Sequence, residues 1–118
     1  MPENSRKTRV LEIDGRPPHL PDDIAKLIAP VLAKLRKEAL PLGVTIRAGE
    51  SFDAEFPSNH SSYFVLLSFQ QEDAVASSAT AEMVTALTQF CNQQRLPIIE
   101  IPENHPEYEN YLSDSVLQ

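Results

Sequence analysis

The stretch IIEIPENHPEYENYL, Ile98 to Leu112, sets one histidine, four glutamates and two tyrosines behind a hydrophobic run. A histidine among carboxylates is the raw material of acid–base catalysis and of metal binding. Elsewhere the reactive types are scattered. His19 and His60 lie far apart, Cys91 is the single cysteine, and Ser61 and Ser62 follow His60. Carboxylates pair at Asp22/Asp23, Asp53/Glu55 and Glu72/Asp73.

Spacing argues against most of this chemistry. No HxH or HExxH pattern joins His19, His60 and His105, so no local metal site is expected. Cys91 falls on an apolar helical stripe beside Phe90, where a cysteine behaves as an inert small hydrophobe. Adjacency of His60 to Ser61 and Ser62 is not triad geometry. Asp22/Asp23 sit where a helix begins, and Glu72/Asp73 where a strand ends. The three glycines, Gly15, Gly43 and Gly49, are too dispersed for a phosphate-cradling loop. The expectation is a chain with no catalytic residue, no metal and no cofactor, hence not an enzyme.

The elements that position these residues follow from periodicity. Residues 1–8 read as a flexible arm before a single domain spanning 9–118. Arg9–Asp14 alternates as a short strand, and GRPPHLP is a stiff loop. Pro21-Asp22-Asp23 opens a helix, because proline suits the first position and aspartate the positive end of the dipole. Ile24, Leu27, Ile28, Val31, Leu32 and Leu35 then form its apolar stripe. Pro30 inside the pattern predicts a kink or two abutting helices. Pro41 and Gly43 end the element.

VTIRA, Val44–Ala48, reads as a half-buried strand, and 50–62 as a loop. YFVLLSF, Tyr63–Phe69, is apolar on both faces and so reads as a central strand. A second helix is expected over 78–94, capped by Ser77 or Ser78, with Met83, Val84, Leu87, Phe90 and Cys91 as its stripe. Residues 97–101 read as the last strand. Asn104 or His105 then caps a short helix opened by Pro106, with Tyr108, Tyr111 and Leu112 on one side. The resulting class is α+β, in the order β-α-β-β-α-β of a ferredoxin-like two-layer sandwich with a short C-terminal helix.

Composition narrows the partners. The 118 residues suit one core, and no apolar run is long enough for a membrane span. The polar start MPENSRKTR predicts no secretory signal, and a lone cysteine suits a reducing, cytoplasmic setting. Nine of the ten Lys+Arg lie in residues 1–47, while residues 48–118 hold Arg95 and eleven of the 17 acids. At a net charge of −7 the chain is not expected to bind nucleic acid.

What remains is surface. A strand apolar on both faces leaves one face to be covered, and a homodimer through Tyr63, Val65 and Leu67 is the expected remedy. Tyrosines suit interfaces, since a flat apolar ring carries a polar tip.

Taken over its full length, the chain resembles the small quorum-sensing anti-activators that act on LasR-type transcription activators. The stretches that carry the resemblance are LPDDIAKLIAPVLAKLRKEAL, YFVLLSF and RLPIIEIPENHPEY. The resemblance implies a dimeric, non-enzymatic regulator that covers the activator's dimerisation surface and so keeps it off DNA. The partner-binding residues expected from the sequence are Leu32, Leu35 and Arg36 on the first helix, with Tyr108, Tyr111 and Leu112. The rival reading is a ferredoxin-like small-molecule sensor or small enzyme, with a pocket between sheet and helices and His60 or His105 as its polar group.

Overall fold

The computed structural model describes residues 6–15, 21–51 and 61–105. The chain is α+β. In chain order it runs β1 (Arg6–Gly15), α1 (Pro21–Ala39), a 3-10 turn (Leu40–Leu42), β2 (Thr45–Ser51), β3 (Ser61–Gln70), α2 (Ala74–Gln93) and β4 (Ile98–Ile101). The four strands form one sheet in the order β2-β3-β1-β4, with every neighbouring pair antiparallel. The YFVLLSF strand is central, as its two apolar faces predict, and β1 is the other central strand.

The register explains how a polar β1 takes a central place. Leu11 stands opposite Val65 and Ile13 opposite Tyr63, so β1 gives the core two large side chains on that face. Val10 serves the opposite face, and polar residues at the start of the strand are tied by polar contacts. Arg6 donates to the Ser68 carbonyl at 2.8 Å, and the Thr8 and Ser68 hydroxyls lie 2.8 Å apart. β1 begins at Arg6, three residues before the expected start, because these polar side chains find partners across the sheet. Residues 6–8 are therefore strand, not arm.

One sheet face carries both helices. Leu11, Ile13, Ile46, Val65, Leu67 and Phe69 pack there in one cluster with Ile24, Ile28, Leu32 and Leu35 of α1 and Met83, Leu87 and Cys91 of α2. Each large aliphatic side chain buried in this way contributes about 1.5–3 kcal/mol. The α1 stripe is the one its spacing predicts, with Leu27 and Val31 half-buried at its margin. Pro30 neither splits nor ends α1: one helix spans it. Pro30 is exposed, so water can reach the carbonyl that loses its partner.

Two sequence expectations are corrected by this packing. Tyr63, Val65 and Leu67 are only 9%, 0% and 0% exposed and lie under the helices. They belong to the core of one chain and are not a dimer seam. Leu32 packs into the same core and is closed to a partner, while Leu35, also in that core, leaves only an edge at the surface between α1 and α2.

The opposite sheet face holds a second buried cluster of Val10, Phe64, Leu66 and Ile101. Phe64 and Leu66 are already 3% and 0% exposed within a single chain. That face needs no second copy to hide it, which removes the physical reason given for a homodimer.

The first helical run ends at Pro41 and Gly43 as expected, whereas the second helix begins earlier than expected. α1 passes into the 3-10 turn, and Gly43 closes it with φ at 74°, donating its N–H to the Leu40 carbonyl at 3.2 Å. That left-handed conformation favours glycine. α2 starts at Ala74, four residues earlier than expected. Its cap is Asp73, whose carboxylate accepts the Ala76 N–H at 3.0 Å. Asp73 thus begins a helix where the sequence pattern assigned it to the end of a strand. Thr80, buried on α2, donates its hydroxyl to the Ala76 carbonyl at 2.8 Å. Among the described residues no buried side-chain nitrogen or oxygen lacks a partner.

Candidate functional site

The residues that could do chemistry do not converge among the described positions. His105 sits in a turn after β4, its backbone N–H donating to the Pro102 carbonyl at 3.0 Å. His19, His60, Asp53 and Glu55 lie outside the described residues. Glu72 and Asp73 are exposed, and Asp73 is occupied as a helix cap. Among the described residues no three His, Cys, Asp or Glu side chains come together as a metal-binding group.

Cys91 is fully buried on α2, with 0% exposure. Burial pushes its thiol up to about 11, because an apolar surround penalises the thiolate. A thiol held neutral is a poor nucleophile. Its position is that of a core side chain, as its place on the stripe predicts.

Four basic residues of the first half, Arg6, Lys7, Arg9 and Arg36, are engaged in holding the fold. Arg9 on β1 grips Glu100 on β4 with two hydrogen bonds, Nε to Oε2 at 2.8 Å and one terminal nitrogen to Oε1 at 2.7 Å. The hydrogen bond to Glu100 raises the guanidinium above its ordinary value. Lys7 and Glu103 form a looser pair at 3.4 Å. Arg36, expected to touch a partner, instead sends its Nε to the Ile46 carbonyl at 3.2 Å. It ties α1 to β2, an edge strand, and fills one carbonyl there. Tyr108, Tyr111 and Leu112, the other expected contact residues, lie outside the described residues.

The helix layer has a feature that sequence reasoning missed. A groove of about 300 Å³ runs between α1 and α2. Leu35, Leu42, Ala79, Met83 and Ala86 give it an apolar lining, and Glu38 and Glu82 stand on its two helical walls. A second hollow of about 370 Å³ shares Ala79 and Glu82 and continues toward the start of α2 past Ala74, Val75 and Ser78. Val75 there is 64% exposed, and Leu40, just beyond α1, is 80% exposed. Neither Glu38 nor Glu82 has a hydrogen-bond or ion-pair partner among the described residues. The only sequence signal was indirect: α2 carries a single charged residue, Glu82, along its whole length.

Such a groove has no chemistry of its own. It offers apolar contact, close backbone approach over small residues, and two carboxylates that form no ion pair among the described residues.

No protein-family model matches the chain. No curated protein matches it. Among solved structures the chain is similar to a de novo designed protein, Foldit4, at 10% identity and a TM-score of 0.45, covering 80% of this chain and 94% of that one.

Proposed function

We propose that this chain is a non-enzymatic regulatory protein that works in the cytoplasm by binding a transcription activator of the LasR type. Binding covers the activator's dimerisation surface and so prevents its grip on DNA. The observation that carries the binding part of this reading is the apolar groove on the helix layer, flanked by two glutamates that have no partner among the described residues. The resemblance of the helical LPDDIAKLIAPVLAKLRKEAL and the YFVLLSF strand to the quorum-sensing anti-activators supplies the kind of partner. The fold is read as a ferredoxin-like two-layer sandwich, a reading supported by the strand order β2-β3-β1-β4.

The reading does not depend on a homodimer, since both sheet faces are buried at their centres within one chain. If two copies associate, the seam lies away from Tyr63, Val65 and Leu67. The small-molecule alternative places a pocket between sheet and helices, where tightly buried aliphatic side chains now stand.

The test is a DNA-retardation assay with a purified LasR-type activator, its lactone and its operator. Added protein is expected to release the DNA and to co-elute with the activator as a stable complex. An activator that stays on DNA at a large excess of this protein, with no complex on the column, would contradict the reading.

A further inference from the structure

We propose that the groove between α1 and α2 is the docking site for a basic amphipathic helix of a partner protein. The inference deepens the reading above and rests on it for the premise that the chain acts through protein contact.

Its length sets the size of the occupant. From Val75 to Ala86 the wall of α2 rises about 17 Å, which matches roughly three turns of a docked helix. Val75, 64% exposed, projects apolar surface at the end toward the start of α2 and extends the contact. Ser78, Ala79 and Ala86 are small enough for a second helix backbone to come close. The occupant therefore carries an apolar stripe at helical spacing.

Charge decides the rest. Glu38 and Glu82 approach the occupant from opposite walls, and α2 has no basic residue to neutralise Glu82. Burial against an uncharged or acidic helix leaves both carboxylates partly desolvated and unpaired, whereas Lys or Arg beside the apolar stripe pairs with them. The same argument disfavours the other occupants. Residues 106–118 contain Glu107, Glu109 and Asp114 and no Lys or Arg, so the chain's own tail carries the wrong sign. A second copy placed groove to groove about a two-fold axis sets the glutamates of both copies against one another.

The test uses the full chain and labelled helical peptides of about 14 residues, close to four turns. One has leucines at i, i+4 and i+7 flanked by lysines, and its twin has glutamates in place of the lysines. Fluorescence anisotropy is expected to show binding of the lysine peptide and none of the glutamate peptide. The double variant E38K/E82K should weaken binding roughly tenfold or more, from two lost attractions and two new repulsions. E72K alters an exposed acid outside the groove and should leave affinity within about twofold. A86F, which fills the groove from an exposed position, should weaken binding with the helical circular dichroism unchanged.

Equal binding of both peptides, or equal loss in E72K and E38K/E82K, overturns the proposal in favour of diffuse attraction. So does a doubled solution mass that E82K abolishes, which makes a second copy the occupant. Tighter binding of a peptide copying residues 106–118 assigns the groove to the chain's own tail and overturns it likewise. A LasR-type activator captured equally by wild type and E38K/E82K sinks the groove but spares the regulatory reading. Groove-dependent binding of the lysine peptide without capture of any such activator does the reverse.

Discussion

The Asp73 carboxylate accepts the Ala76 N–H at 3.0 Å and so fixes where α2 begins. With α2 starting there, Ala74, Val75 and Ser78 are helical and their side chains line one continuous surface with Ala79 and Glu82. Removing the cap should be felt as lost stability. Asp73→Ala is expected to destabilise the chain by about 1 kcal/mol in urea titration, and Asp73→Asn much less, since an amide oxygen still caps. Equal effects from both substitutions would mean that charge at the helix start matters more than the hydrogen bond.

Arg95 ends α2 with φ at 60°, a left-handed conformation that costs an ordinary residue energy. The turn is held by the Leu96 N–H on the Cys91 carbonyl at 2.8 Å and the Arg95 N–H on the Asn92 carbonyl at 3.1 Å. Arg95 is exposed, so its side chain carries little packing. Arg95→Gly is expected to raise stability by about 0.5–1 kcal/mol, seen as a higher denaturation midpoint at unchanged slope.

Burial holds the Cys91 thiol up to about 11 against an ordinary value of 9.0. The folded state thus binds the proton more tightly than the unfolded state. The resulting stabilisation is complete below pH 9.0 and fades as pH rises toward 11. Over that window wild type should lose stability relative to Cys91→Ala by on the order of 2 kcal/mol. Parallel denaturation curves at several pH values check this. The native thiol should also resist disulfide reagents until the chain unfolds.

Much of this architecture was legible in the residues. YFVLLSF announced a central strand because apolar side chains alternate onto both faces, and the α1 stripe announced its buried side. The start of β1 is not legible because Arg6, Lys7 and Thr8 show no hydrophobic period. Their place in the sheet depends on Ser68 and Glu103, at distant sequence positions. The start of α2 is ambiguous in the sequence because Ser77 and Ser78 are good caps in the abstract, whereas Asp73 is the residue that accepts the bond. The groove was not legible at all. Leu35, Glu38 and Leu42 meet Ala79, Glu82 and Met83 only once two helices are laid side by side on the sheet.

The corrected role of Leu67 separates core from interface. It is 0% exposed in the cluster shared with both helices. Leu67→Ala is expected to cost about 2–5 kcal/mol of folding stability. Solution mass of the folded fraction should not change. A variant of wild-type stability with a lowered solution mass would return Leu67 to a dimer seam.

Amide hydrogen exchange of the full chain, with and without a LasR-type activator, tests the proposed docking face on the helix layer directly. Protection is predicted over 35–42 and 74–86, the two walls of the groove, with strands β1 and β3 unchanged beyond their already slow exchange. Protection confined to the β4 edge, or no protection anywhere at saturating activator, would contradict it.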